Sequence, residues 1–144
     1  MDTSKPRRAT RSDIQAMAGI VTDWEKATPW KSSPFTPQEI AGFIDSAFDE
    51  REIWVWGDPV VAYLAFNPAT SHIGGLYARA TGQGVGKALV DQVKQGRDFI
   101  WLNTHVPNLN AQRFYKREGF AAVSRHAGDP SDAVEEIRME WHRR

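Results

Sequence analysis

The stretch TGQGVGKAL, residues 81–89, lies between a segment with strand character and a segment with helical spacing. Glycines at alternate positions leave backbone N–H groups accessible, and the N-terminus of the following helix binds anions through its unpaired donors and its dipole. The stretch therefore predicts a phosphate-binding loop. A tight strand-to-helix turn, which needs glycine only for its dihedral angles, explains the same residues equally well.

The loop departs from both common nucleotide-binding motifs. In a Walker A loop counted back from Gly86 and Lys87, Thr81 takes the place of the first glycine. Ala88 then stands where the magnesium-binding hydroxyl belongs. The dinucleotide fingerprint G-x-G-x-x-G, counted from Gly82, fails because Lys87 replaces its third glycine. Nucleotide hydrolysis and dinucleotide binding are therefore poor explanations of the loop.

Composition narrows the classes of protein further. The chain has 144 residues, which suits a single domain over residues 1–144. Lys plus Arg and Asp plus Glu number 18 each, so the chain lacks the basic excess of a nucleic-acid-binding protein. There is no cysteine to serve as a nucleophile or metal ligand. A polar N-terminus and the absence of a long apolar run predict a cytoplasmic protein with no membrane contact.

The pattern of apolar residues predicts the order β-α-α-β-β-β-α-β-α-β-β. We therefore expect an α/β (α+β) fold, a mixed central sheet with helices on both faces. Ser12 and Asp13 are the predicted N-caps of the first helix, and Thr36 is that of the second. The paired glycines at 74 and 75 indicate either a β-bulge or a place where a ligand approaches the backbone closely.

A second motif follows downstream. Residues 108–120, NLNAQRFYKREGF, have the form N-x-x-A-x-x-F-Y-x-x-x-G-F and begin 22 residues after Gly86. With the loop, this motif resembles the GNAT family of acyl-CoA-dependent N-acyltransferases, whose loop reads [QR]-x-x-G-x-[GA]. The resemblance covers residues 71–120, and Thr81 departs from it at the first loop position. It implies a GNAT fold of about seven strands, splayed between strands 4 and 5.

The resemblance implies that acetyl-CoA is the acyl donor, with its pyrophosphate on the loop and its pantetheine paired like an extra strand. Gln83 or Lys87 can supply the side-chain phosphate contact that relatives make from the position of Thr81, and Asn108 can bond the pantetheine amides or cap the next helix. No metal is expected, because the four histidines lack ligand spacing. The implied cofactor-binding residues are Leu76, Tyr77, Ala78, Thr81, Gly82, Gln83, Gly84, Val85, Gly86, Lys87, Asn108, Ala111 and Phe114.

Acyl transfer to an amine needs a base for the amine and a proton for the departing thiolate. By resemblance Tyr115 is the general acid. Relatives often carry Glu four residues before the position of Leu76, where this chain has His72, which makes His72 the candidate base. His105 is a second candidate, and with no cysteine to hold the acyl group we expect direct attack in a ternary complex.

The acceptor is predicted to be a primary amine of a small molecule, an amino acid or a peptide. Its expected binding residues lie in the first helix, in the following loop and near the splayed strand ends. A non-catalytic acyl-CoA-binding module is the alternative function, and by analogy with relatives the C-terminal strands can form a homodimer. The predicted acceptor-binding residues are Trp24, Trp30, Phe35, Asn103 and His105.

Overall fold

One seven-stranded sheet organises the chain, and the computed structural model describes residues 5–31, 35–79, 82–128 and 134–144. Thr81 lies outside these ranges, so its departure from the family pattern stays a sequence observation. The order of elements is the predicted one. The strands are β1 (Arg7–Arg8), β2 (Glu52–Trp56), β3 (Ala62–Asn67), β4 (His72–Ala78), β5 (Phe99–His105), β6 (Ala121–His126) and β7 (Glu136–His142), and the helices are α1 (Ile14–Lys26), α2 (Pro37–Ala47), α3 (Val85–Lys94) and α4 (Leu109–Arg117).

The sheet is mixed, as predicted, and its strand order is β1-β2-β3-β4-β5-β7-β6. Neighbouring strands run antiparallel except β4 and β5, which run parallel. Helix α3 connects these two strands, which is the crossover that a parallel pair requires.

Helices cover both faces of the sheet, so the core has two parts. On one face α1 and α2 bury apolar residues against β2 and β3. On the other face α3 and α4 pack over β3, β5 and β7. The first part includes Ile14, Met17, Val21, Ile40, Ile53, Val55 and Tyr63, and the second includes Leu64, Phe66, Leu89, Val90, Val93, Ile100, Leu102, Tyr115, Phe120 and Met139.

The predicted cap of α2 is confirmed, and Asp13 occupies the predicted N-cap position of α1 without making a side-chain cap hydrogen bond. Thr36 Oγ1 accepts a hydrogen bond from the Glu39 N–H, with Pro37 at the first helical position. Helix α1 instead follows a turn of 3₁₀ helix, and the Asp13 carboxylate accepts hydrogen bonds from two guanidinium nitrogens of Arg7 at 3.0 Å. Because this paired, charge-assisted contact is stronger than one cap bond, Asp13 ties β1 to the start of α1.

The glycine pair in β4 forms a β-bulge. The register passes from Ala65 opposite Gly75 to Phe66 opposite Ile73, which leaves Gly74 as the extra residue. A Cβ on Gly75 would lie 3.0 Å from the ring of Tyr77, two residues along on the same face. Glycine at 75 therefore lets the Tyr77 ring lie flat along β4.

Helix α4 packs against the start of α3 through one close contact. A Cβ on Gly86 would lie 3.1 and 3.2 Å from two atoms of the Phe114 ring. Ala111 and Phe114 also pack against the buried cluster under α3. The third loop glycine thus sets the distance between the two helices.

We expect Gly86→Ala to gain none of the stability that alanine normally confers on a helix. Gly42 is an exposed position of helix α2, and nothing lies within 4 Å of a Cβ placed on it. Gly42→Ala should therefore raise the free energy of unfolding, measured in urea, by about 0.5–1 kcal/mol. At Gly86 displacement of the Phe114 ring offsets that gain. Equal increases for the two variants would contradict this account of the contact.

Candidate active site

The pairing between β4 and β5 ends almost as soon as it begins. Only His72 with Trp101 and Ile73 with Leu102 are paired, although each strand has seven residues. Beyond the bulge, residues 74–78 of β4 pair with β3 alone among the described strands. The predicted splay between strands 4 and 5 is confirmed, and it leaves a gap that opens towards the phosphate loop.

The free edge of β4 presents backbone polar groups to this gap. The Arg79 N–H donates to the Val61 carbonyl at 2.9 Å, which makes these two residues a hydrogen-bonded pair. Such pairs alternate along an antiparallel ladder, so Tyr77 also bonds towards β3. The N–H and C=O groups of Leu76 and Ala78 therefore face the gap.

The predicted phosphate loop ends in a helix start with free donors. Gly82 and Gly84 have φ angles of 81° and 77°, which L-residues rarely adopt. Gly84 is the N-cap of α3, and the first intrahelical bond runs from the Ala88 N–H to the Gly84 carbonyl. The N–H groups of the first three helical residues are therefore without intrahelical acceptors, as an anion site requires. Val85 buries its side chain, so it can contribute only its backbone.

Lys87 points its charge at two carboxylates. Its Nζ lies 3.3 Å from Asp91 Oδ2 and 3.3 Å from Glu118 Oε1. These contacts, with Asp91 first, raise the pKa of Lys87 above its ordinary value. Gln83 is exposed beside it at the loop tip. Lys87 is therefore already matched by protein charges, although its side chain stays exposed.

The start of α4 is built by Asn108. Its Oδ1 accepts a hydrogen bond from the Ala111 N–H at 3.1 Å, so the side chain caps the helix. Of the two roles that the sequence left open, the cap is present.

Tyr115 lies in the core beneath α4, with 8% of its surface exposed. Its ring contacts those of Phe114 and Phe120 edge-on, with centroids 5.2 and 5.6 Å away. Burial, with a contribution from Tyr77, raises the pKa of the Tyr115 phenol well above its ordinary value. The phenol stays protonated at neutral pH.

On the other side of the gap, four rings form an aromatic cluster: Trp24, Trp30, Tyr77 and His105. The Trp24 ring lies 5.8 Å from Trp30 and 5.5 Å from Tyr77, centroid to centroid. Trp30 lies 5.1 Å from the His105 ring, whose Nε2 is 3.6 Å from Glu136 Oε2. Three of the five predicted acceptor residues are thus brought together, and Tyr77 joins them through its ring.

A cavity of about 410 Å³ lies beside this cluster, between the end of α1 and the start of α4. Six of its ten lining residues are aromatic or apolar, but polar atoms supply more of its surface than apolar ones, and Arg113 is the charged side chain among the ten. The lining residues are Trp24, Ala27, Thr28, Pro29, Trp30, Pro107, Asn108, Leu109, Asn110 and Arg113.

The other two predicted acceptor residues do not line this cavity. Phe35 packs edge-on against Phe43 of α2 at 4.9 Å between centroids. Asn103 lies on the same face of β5 as His105, two residues earlier, and its Oδ1 contacts His126 Nε2 at 3.1 Å. Their predicted roles in binding the acceptor stay predictions.

His72 lies at the closed end of the gap. Its ring stacks on Trp101 with centroids 4.0 Å apart, and the Arg138 guanidinium covers the same indole at 4.1 Å. Burial lowers the pKa of His72, and the charges of Arg51 and Arg138 add to this effect. The imidazole is therefore neutral near pH 7, but four residues, about 13 Å of strand, separate it from Leu76.

Glu25 is the residue that the motifs missed. Its Oε1 is buried without a hydrogen-bond partner, which among the described residues singles it out. Leaving such an atom unsatisfied costs about 1–3 kcal/mol. The signal was present in the helical spacing, because Glu25 continues the apolar stripe of α1 formed by Ile14, Met17 and Val21.

Metal ligation and membrane insertion find no support in the described part of the chain. There, no group of three or more His, Asp or Glu side chains is placed to hold a metal ion. No helix in the same ranges combines the length and apolar character needed to cross a bilayer.

The fold of this chain also occurs in solved structures. YjaB from Escherichia coli, solved in solution in its apo form, is 22% identical with a TM-score of 0.77, covering 95% of this chain and 96% of that one. Ribosomal-protein-alanine N-acetyltransferase from Brucella melitensis is 16% identical with a TM-score of 0.74, covering 96% and 99%. The putative acetyltransferase yncA from Salmonella typhimurium, solved with its cofactor acetyl-CoA, is 14% identical with a TM-score of 0.73, covering 98% and 94%. At these identities the likeness establishes the fold.

The sequence itself carries the family assignment. None of the curated proteins matches it significantly. The family model described as Acetyltransferase (GNAT) family matches residues 17–120, which is well over half of the chain and includes the loop, the gap and α4. The chain therefore belongs to the GNAT family of acetyltransferases.

Proposed function

We propose that this protein transfers the acetyl group of acetyl-CoA to a primary amine of a small molecule, an amino acid or a peptide, by direct attack in a ternary complex. The observation that carries the proposal is the gap between β4 and β5, because free backbone groups and an anion site border it. The similar yncA structure was solved with acetyl-CoA, which supports this choice of donor.

The chain's own groups fit an acyl-CoA. The unpaired N–H groups at the start of α3 suit a pyrophosphate. The backbone of Leu76 and Ala78 can pair with the pantetheine amides in the manner of an added strand. A backbone N–H on this edge can also donate to the thioester oxygen as negative charge develops there.

The reaction needs three proton transfers. A base removes a proton from the ammonium form of the acceptor, and the nitrogen lone pair then attacks the thioester carbonyl carbon. As the tetrahedral intermediate collapses, the carbon–sulfur bond breaks, the thiolate takes the proton of the Tyr115 phenol, and the phenolate takes the surplus proton of the attacking nitrogen, which leaves a neutral amide. The raised pKa of Tyr115 means that the phenol is protonated when the reaction begins.

His105 has the better position for the base. It lies in the aromatic cluster, and its Nε2 is 3.6 Å from Glu136 Oε2. His72, the first candidate from the sequence, is neutral but stacked at the closed end of the gap. The geometry therefore favours the second candidate.

The direct test is mass-spectrometric screening of a panel of amines, amino acids and peptides with isotopically labelled acetyl-CoA and the purified protein. We expect enzyme-dependent transfer of the label to at least one amine. Tight binding of coenzyme A with no product across the panel, and no slow hydrolysis of the thioester, would favour the non-catalytic module instead.

Tyr115→Phe should remove the proton donor while keeping the ring contacts. We expect kcat with the acceptor from the screen to fall about 100-fold, and the Kd of coenzyme A from calorimetry to change less than about threefold. Tyr63→Phe, which removes a buried hydroxyl beneath α1, is the control. Unchanged turnover would take the acid role away from Tyr115.

Exchanging each histidine for glutamine separates the two candidate bases. His105→Gln should lower kcat/KM about 10-fold or more and flatten the acidic limb of its pH profile, while His72→Gln stays within about twofold of wild type. The opposite pattern would return the role of base to His72.

Coenzyme A affinity should depend on the loop backbone more than on Lys87. Because Asp91 and Glu118 already match its charge, Lys87→Gln should change the Kd of coenzyme A less than about threefold. Gly84→Ala places a side chain at a φ of 77° and should weaken binding about 10-fold or more. A larger effect at Lys87 than at Gly84 would show that the side chain is the main phosphate contact.

A further inference from the structure

Glu25 occupies a position that the packing of α1 reserves for an apolar side chain. Ile14, Met17 and Val21 are buried at spacings of three and four residues, and Glu25 falls four residues beyond Val21. An acidic residue at such a place breaks the local pattern without a structural gain. Departures of this kind are expected where a residue serves function instead of folding.

The carboxylate also lacks a partner inside the described part of the protein. Its Oε1 is buried without a hydrogen bond, and no ion pair involves Glu25 among the described residues. Folded proteins satisfy nearly all buried polar atoms, so an exception calls for a donor from outside the chain. A ligand with N–H groups would supply that donor.

The surroundings of Glu25 place it at the acceptor side of the gap. Its charge contributes to the raised pKa values of the Tyr63 and Tyr77 phenols, after the larger effect of burial. Tyr77 in turn contacts Trp24, the neighbour of Glu25 in the chain, within the aromatic cluster. The carboxylate therefore belongs to the end of α1 that packs on Tyr77 of β4, and it lies next to the cavity-lining Trp24 in the chain without lining the cavity itself.

We propose that Glu25 binds the ammonium group of the acceptor, and that the aromatic cluster holds an apolar or aromatic stem attached to it. An ammonium group carries three donors, enough to satisfy the buried Oε1, and its charge is attracted to indole faces. The acceptor class is then a cationic primary amine on an uncharged, apolar stem. This inference rests on the proposed function, since it assigns the acceptor side of the same site.

The test compares n-butylammonium with n-butanol, which share a stem and differ in charge. Saturation-transfer NMR at about pH 7.5, where the amine is protonated, measures the binding of each to the full-length protein. We expect the wild type to bind butylammonium about 10-fold more tightly than butanol. Glu25→Gln should reduce this preference to less than about twofold, whereas Glu25→Asp should retain part of it because the charge persists.

Glu50→Gln is the matched control, since Glu50 is exposed in the turn after α2. This variant should prefer butylammonium over butanol as strongly as the wild type does. A thermal melt of each variant separates binding from folding. If the carboxylate serves a ligand, Glu25→Gln should melt at or above the wild-type midpoint.

The proposal is overturned if the wild type shows no preference for butylammonium, if the preference survives in Glu25→Gln, or if that variant melts below the wild type with its preference unchanged. No acetyl transfer is measured, so these outcomes are independent of the amine screen. Failure of the screen would count against the proposed function, and failure here against the role of Glu25.

Discussion

The end of pairing between β4 and β5 is the constraint on which the rest of this structure depends. After two paired residues the strands separate, and the backbone of Leu76 and Ala78 is left without a partner among the described strands on that side. An open edge inside a sheet is costly because its polar groups must be satisfied by something else. The bulge at Gly74 precedes the separation, and α3 begins just beyond its open end. A ligand that pairs like a strand and ends in phosphate satisfies both features.

The two faces of the sheet carry different groups. Tyr115, buried and protonated, lies on the face beneath α3 and α4. The aromatic cluster and Glu25, with a carboxylate oxygen left unsatisfied, lie on the face beneath α1. The direct attack that we propose requires donor and acceptor to meet in the gap, held in a reactive orientation by these groups.

Much of the fold was predictable because the spacing of apolar residues and the turn and cap residues agree with the way the elements pack. The order of eleven elements, the cap at Thr36 and the splay follow from apolar spacing and from two motifs. Asp13 occupies the predicted N-cap position but makes no cap hydrogen bond to α1, because its carboxylate pairs with Arg7, and a carboxylate near a helix start suits a cap and an ion pair equally well until Arg7 is placed. For the same reason the sequence suggested that Lys87 contacts phosphate, whereas in the structure its ammonium group pairs with the carboxylates of Asp91 and Glu118.

The sequence by itself determined the family, the loop with its helix start, and the residues whose roles follow from fixed spacing along one element. Glycine dihedrals and a capping box such as that of Thr36 and Glu39 are local, so neighbours in the chain suffice to predict them. Only the tertiary structure decided which of two histidines lies near the aromatic cluster, that Phe35 packs on α2, and that Glu25 faces inward without a described partner. Each of these three features depends on contacts between elements that are far apart in the sequence. Such contacts are set by the register of the sheet and by the way α1 packs on it.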